Sequence, residues 1–271
     1  MSNEIVFRSL SDRKPGESWI LLVYGATGSG KTYFAGTCGP RTLYINVGDG
    51  LETLKSPAFT KRYPDAAAMI TVDIDNVQSS TAGFDQITKI IDQAYHQYGD
   101  KFDTIVLDES TAFRRLALNK AMDLNSAQRQ TQRKSREDDY VKAEIGDYGI
   151  EMDMIQWFLG THIPIFKNTG KNFLMLAHER QIYGKPAKQG DEPPLKRILP
   201  GFTGQKFPDQ VPAYFDDVWR SEVVGKINKV YRVITEGDEM TVGKSRHGGI
   251  FSRVENDPNF LQMLNRIKQS K

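Results

Sequence analysis

Apolar residues fall in short unbroken blocks along this chain. Trp19–Tyr24 reads WILLVY and runs into Gly25, and Thr42–Val47 reads TLYINV and stops at a Gly-Asp-Gly turn. Ala68–Ile74, Thr104–Asp108 and Asn172–His178 repeat the form. Blocks this short and largely apolar predict strands, with Trp19–Tyr24, Thr104–Asp108 and Asn172–His178 buried on both faces. Between them the period lengthens. Phe84, Ile87, Ile90, Ile91 and Tyr95 recur at helical spacing within 82–98. A second stripe joins Val141, Ile145, Tyr148, Met152, Ile155 and Leu159, weakened by Gly146 and Gly149. A further helix is expected to open near Gly30. Strands alternating with helices predict an α/β fold with a largely parallel sheet covered on both faces.

The pattern changes after about residue 200. Ser221–Glu236 reads as a β-hairpin turning near Gly225–Asn228, with Met240–Ser245 as a possible third strand. The end reads as a short helix with Asp257 as its cap and Pro258 in the first turn. Two stretches fit a minimal core poorly. Residues 111–136 hold Arg114, Arg115, Lys120, Arg129, Arg133, Lys134 and Arg136 against Asp123 alone, and 128–139 carry no apolar side chain. Residues 179–212 are rich in Gly, Pro and Lys and too long for an ordinary connection. The expectation is one domain over residues 1–271, with a basic helical insertion at about 111–160 and a mobile loop at about 179–212.

Composition narrows the class. Lys+Arg 36 against Asp+Glu 34 leaves a net charge of +2, so any nucleic-acid surface must be local. With 39% hydrophobic residues, wholesale disorder is excluded. The longest apolar run is WILLVY, whereas a membrane span needs about 20 residues. The N-terminal residues lack the basic-then-apolar layout of a secretory signal. Cys38 is the single cysteine, which excludes an internal disulfide and suits a reducing cytoplasm. A cytoplasmic protein with no membrane partner is expected.

The sharpest motif is GATGSGKT: Gly25, Ala26, Thr27, Gly28, Ser29, Gly30, Lys31 and Thr32. It fits GxxxxGK[ST] between a buried strand and a helix. Its glycines let successive N–H groups curl round an anion, Lys31 would reach the β- and γ-phosphates, and Thr32 would ligate Mg²⁺. Tyr33, next in line, is counted with the nucleotide-binding residues. Downstream, FDTIVLDES puts Asp108 and Glu109 at the carboxyl end of a buried strand, where open α/β sheets bind ligands. Asp108 would hold Mg²⁺ through its water shell, or merely cap the next helix. Glu109 could activate the attacking water. Asp49 or Glu52, after the preceding core strand, could do the same. His178 ends the strand NFLMLAH, in place to sense a γ-phosphate or simply to make a structural hydrogen bond. In KSRHGG, Lys244 and Arg246 stand two apart on an expected strand and so on one face; alone, they would read as solvated edge charges.

Taken together, GATGSGKT, TIVLDES, the strand ending in His178 and KSRHG resemble the RecA-like P-loop ATPases, most of all the small RecA-related ATPases that phages encode beside recombination and annealing genes. The resemblance runs from about Trp19 to Gly249. It implies a RecA-like core with antiparallel C-terminal strands, ATP and Mg²⁺ as cofactors, and a homo-oligomer in which Lys244 and Arg246 reach the neighbour's γ-phosphate. It places His178 where RecA has a glutamine coupling nucleotide state to a DNA-binding loop, here 179–212. Such proteins usually carry the catalytic glutamate after the strand matching TLYINV, where this chain has Gly48–Asp49, so Glu109 and Asp49 both stay open. The Arg-rich 111–136 stretch has no counterpart, and the long filament-forming N-terminal segment of RecA is not matched.

Residues 179–206 carry Arg180, Lys185, Lys188, Lys196, Arg197 and Lys206 against Glu179, Asp191 and Glu192, with Tyr183, Phe202 and Phe207 among them. Bases stack on such rings. The function expected is a DNA-stimulated ATPase acting on single-stranded DNA in phage-type recombination, annealing or replication, with recombination or single-strand-binding proteins as partners. The alternatives are a small-molecule kinase using 128–136 as a lid, a DNA motor, and a nucleotide-gated binding module.

Overall fold

The computed structural model describes residues 18–48, 50–74, 80–129, 143–186, 188, 192–225 and 229–270, without the side chains of 127–129. The apolar blocks are strands, in chain order β1 (Ile20–Gly25), β2 (Thr42–Asn46), β3 (Ile70–Asp73), β4 (Thr104–Asp108) and β5 (Asn172–Tyr183). β6 (Leu195–Pro200) lies within the 179–212 stretch, β7 (Asp217–Val224) and β8 (Val230–Ile234) follow the change of pattern, and β9 (Val254–Asn256) closes the set. They form one sheet in the order β3-β2-β4-β5-β1-β7-β8-β9, with β6 added to the far end of β5. From β3 to β7 every neighbour is parallel, while β8 and β9 run antiparallel. This is the expected α/β core with antiparallel C-terminal strands.

Period-two alternation on β1 divides two cores. Ile20, Leu22 and Tyr24 face α4 (Gly83–His96), α5 (Ser110–Arg129) and α6 (Ile145–Asn168). Trp19, Leu21 and Val23 face α1 (Lys31–Ala35) and α8 (Phe260–Gln269). Both faces of β1, β2 and β4 are buried, which is why those sequences show no polar alternation, whereas the edge strand β3 is largely exposed. Short helices α2 (Leu51–Lys55) and α3 (Pro57–Arg62) follow β2, and α7 (Phe207–Gln210) precedes β7. No helix among the described residues is long and apolar enough to cross a membrane.

Several expectations change. Met240–Ser245 is no strand: it makes single bridges, Thr241 to Ile198 and Lys244 to Val218, and β9 takes the third antiparallel place. The cap of α8 is Asn259, whose side chain accepts from the Gln262 N–H at 3.0 Å, so Pro258 lies before the cap. The stripe on α6 buries Ile155 and Leu159, but Ile145 is 92% exposed because the helix begins there, beyond the core; Val141 lies outside the described residues.

The stretch 111–129 is not an appendage. Helix α5 packs Phe113, Leu116, Ala117 and Ala121 into the core, and Arg114 Nε donates to the buried Glu151 at 2.8 Å. Lys120 pairs with Asp85. Only Arg115 of these three cations is exposed; Arg133, Lys134 and Arg136 lie outside the described residues. The stretch 179–212 holds the end of β5, the antiparallel β6 and α7 rather than an irregular loop. Phe202 and Phe207 are buried there, so bases cannot stack on them; Tyr183 is 54% exposed. Asp191 lies outside the described residues.

Candidate nucleotide-binding and catalytic site

Parallel pairing brings the carboxyl ends of the central strands to one edge. Gly25 stands beside His178, and Asn46 beside Asp108. The Gly25–Thr32 loop leaves β1 there and turns into α1 with Gly28 at φ 77° and Gly30 at φ 94°, a left-handed conformation that a side chain would strain. A Cβ on Gly25 would stand 2.2 Å from the Ser221 carbonyl oxygen, so β7 lies directly against the loop. Ser221 Oγ also donates to the Ser29 carbonyl at 2.7 Å.

Lys31 Nζ donates to the Gly25 and Ala26 carbonyls, each at 2.9 Å. Burial lowers its pKa, and the Glu109 and Asp108 carboxylates oppose that shift. Thr32 Oγ1 donates to Asp108 Oδ2 at 2.9 Å, and the buried Tyr44 hydroxyl donates to the same oxygen. Burial raises the Asp108 pKa; the two hydroxyl donors oppose it. Glu109 Oε1 accepts from the Ala112 N–H at 3.2 Å, and its other oxygen pairs with His178 Nε2. Glu109 thus both caps the start of α5 and faces the cleft.

These groups line one cleft of about 410 Å³ together with Gly48, Gly50, Thr53 and Tyr231. Of the alternative bases, Glu52 is turned to solvent and paired with Lys55 at 3.2 Å, because it lies on the outer side of α2. Asp49 lies outside the described residues. Behind His178 a second cavity of about 440 Å³ is lined by Thr111, Arg114, Glu179, Arg180 and Gly201–Gly204. His178 therefore belongs to both cavities.

Lys244 and Arg246 do not join this cleft. Lys244 pairs with Val218, which is level with Leu22, and Arg246 N donates to the Asp216 carbonyl near Ile20, toward the opposite end of β1. Lys244 Nζ donates to the Pro212 and Phe215 carbonyls at 2.9 and 2.6 Å, and burial lowers its pKa. Arg246 Nη1 donates to Asp216 Oδ1 at 2.8 Å, with about half its side chain exposed.

Two residues here were hidden in the sequence. Tyr44 reads as one more apolar position of TLYINV, and Tyr231 as one of KVYRVI. A hydroxyl at the otherwise aliphatic centre of a buried strand was the available signal for the first, since buried tyrosines need a partner.

A hydroxyl and a carboxylate oxygen 2.9 Å apart are the hard donors Mg²⁺ takes. Gly50 adds a steric test: a Cβ there would lie 2.4 Å from Asp108 Oδ2, so the turn after β2 is built to leave that carboxylate room. The residues present fit a magnesium-bound triphosphate.

Comparison with known protein families gives a match to the AAA domain over residues 17–247. Among solved structures, a KaiC-like protein of Pyrococcus horikoshii aligns at 12% identity with TM-score 0.42, covering 81% of this chain and 78% of its own. The flagellar accessory protein FlaH of Methanocaldococcus jannaschii aligns at 10% identity with TM-score 0.46, covering 89% of this chain and 85% of its own. Likenesses this slight say nothing about activity. No curated protein matches the chain.

Proposed function

The chain belongs to the AAA domain family, and from that premise we propose that it is a RecA-like ATPase that binds ATP with Mg²⁺ and hydrolyses it in response to single-stranded DNA. The observation that carries the reading is the convergence of Lys31, Thr32, Asp108, Glu109 and His178 on one cleft at the carboxyl edge of a parallel sheet. In this reading the loop amides and Lys31 take the β- and γ-phosphates, while Thr32 and Asp108 hold the metal, Asp108 through its water. Bound Mg²⁺ supplies neutralisation of phosphate charge. Glu109 orients the attacking water and takes its proton. His178 occupies one Glu109 oxygen, so in this reading the position of His178 sets when that oxygen is free to meet the water.

Support for DNA comes from the far side of His178. Arg180 stands two residues after it on β5, and Tyr183, Lys185 and Lys196 are exposed along β5, β6 and their connection. Arg197 is less available, since it pairs with Asp209 at 2.6 Å. Backbone phosphates on these cations and a base on Tyr183 would meet the cavity that His178 shares. Among the described residues Lys31 is the one lysine or arginine lining the cleft, and phosphoryl transfer needs more positive charge than that. A homo-oligomer in which Arg246, with Lys244, meets the neighbour's γ-phosphate would supply it. Recombination, annealing or replication of phage-type DNA, beside single-strand-binding partners, is the setting this chemistry suits.

ATP turnover in low salt, with and without single-stranded DNA, tests the reading. Turnover is expected to rise on adding DNA, and the rise should shrink steeply as salt is added. Unchanged turnover contradicts DNA coupling. Mixing Lys31→Ala with Arg246→Ala chains should restore part of the activity through hybrid interfaces; no restoration at any ratio contradicts action between subunits.

A further inference from the structure

Tyr44 lies at the centre of β2, wholly buried in the core with Phe34, Leu51 and Val106. Packing alone would be served as well by phenylalanine, and a hydroxyl in such surroundings is costly unless it finds an acceptor. Strand register shows where the acceptor is. Tyr44 pairs with Val106, and Asn46 with Asp108. Asp108 is therefore the next position on the same face, about 6.6 Å along the strand. A phenol spans that distance, and its hydroxyl ends on Asp108 Oδ2.

That oxygen is enclosed. Thr32 Oγ1 donates to it at 2.9 Å, and a Cβ on Gly50 would come within 2.4 Å of it. Both hydroxyls fall on Oδ2, and no donor among the described residues meets Oδ1. A single donor lets a carboxylate pivot about its last bond, whereas two donors from different elements, α1 and β2, fix its plane. Asp108 is thus held back from any cation beside Thr32, with Oδ1 left for a water between them.

Divalent ions differ in what they ask of such a carboxylate. Mg²⁺ keeps several of its waters and demands near-octahedral geometry, while Ca²⁺ takes about six to eight oxygens in flexible arrangements. A fixed carboxylate one water away suits the first ion. One that can swing in as a direct ligand suits the second.

We infer that Tyr44 is a positioning residue that keeps Asp108 one water away from the metal and so selects Mg²⁺ over Ca²⁺. The inference rests on the reading of this cleft as a metal–triphosphate site and adds to it which ion the site accepts.

Calorimetric titration of the full chain with Mg²⁺–ATP, with Ca²⁺–ATP and with ATP in EDTA tests it, beside the unfolding midpoint of each chain. Wild type should bind Mg²⁺–ATP more tightly than Ca²⁺–ATP. Tyr44→Phe, which keeps the buried ring, should weaken Mg²⁺–ATP about 10- to 100-fold and Ca²⁺–ATP much less. Metal-free ATP, whose binding does not involve Asp108, should bind both chains alike. Unchanged Mg²⁺–ATP affinity in Tyr44→Phe overturns the inference. Equal weakening of the Mg²⁺ and Ca²⁺ forms also overturns it, because the hydroxyl would then only be bracing the site. A wild type with no preference for Mg²⁺ overturns it without any variant, while leaving the triphosphate reading intact. If folded wild type binds ATP with neither metal, that reading itself fails.

Discussion

Asp108 is the residue on which the most constraints meet. Thr32 and Tyr44 both donate to one of its oxygens, and Gly50 leaves that oxygen its space. Gly50 has φ −65° and ψ −28°, a helical conformation that alanine adopts freely, so substitution there acts through the added methyl group. Gly50→Ala should leave the unfolding midpoint near wild type while weakening Mg²⁺-dependent ATP binding by about tenfold or more, the usual cost of disturbing the surroundings of a metal ligand. Unaltered affinity would mean that Asp108 has another position open to it. This crowding was not legible in the sequence, where Gly-Asp-Gly reads only as a turn. By contrast GATGSGKT was fully legible, because phosphate loops are built from backbone, and glycine spacing is backbone information. Tyr44, Tyr231 and Gly50 act through side-chain space across the sheet, which no local pattern encodes.

At the scale of elements, α5 and α6 illustrate how a charge count misleads. Seven basic residues suggested a solvated face, yet the helix is amphipathic: Arg114 turns inward to Glu151 and Lys120 reaches Asp85. A cation whose partner lies more than thirty residues away looks unpaired in a sequence window. The packing of α4 on α6 gives a pH-dependent test. His162 is buried, with Nδ1 2.5 Å from the Tyr95 hydroxyl and Nε2 without a partner among the described residues. Burial lowers its pKa, with Asp92 opposing at 4.0 Å. A depressed histidine folds neutral, so its contribution is full above about 6.5, the unfolded value, and is lost as pH falls through the folded value. The thermal midpoint should therefore drop between pH 7 and pH 5, and His162→Gln, which keeps an acceptor for Tyr95, should drop less. Equal drops would contradict a neutral buried imidazole.

Across the whole molecule, the sheet order does the functional work. It sets carboxylates, histidine, phosphate loop and Tyr231 along one cleft, and it leaves KSRHG toward the other end of β1, held by its own Asp216. The alternation of apolar blocks and helical stripes made the parallel core legible. The strand order was not, since it depends on which blocks pair across 150 residues, as Ile20 does with Phe173. The central claim is that this edge holds a magnesium-bound triphosphate, and calorimetric titration of the folded chain with ATP and Mg²⁺ tests it most directly. Saturable binding heat that disappears in Lys31→Ala is the predicted result; absence of heat from folded wild type at millimolar ATP, or undiminished heat in the variant, would contradict it.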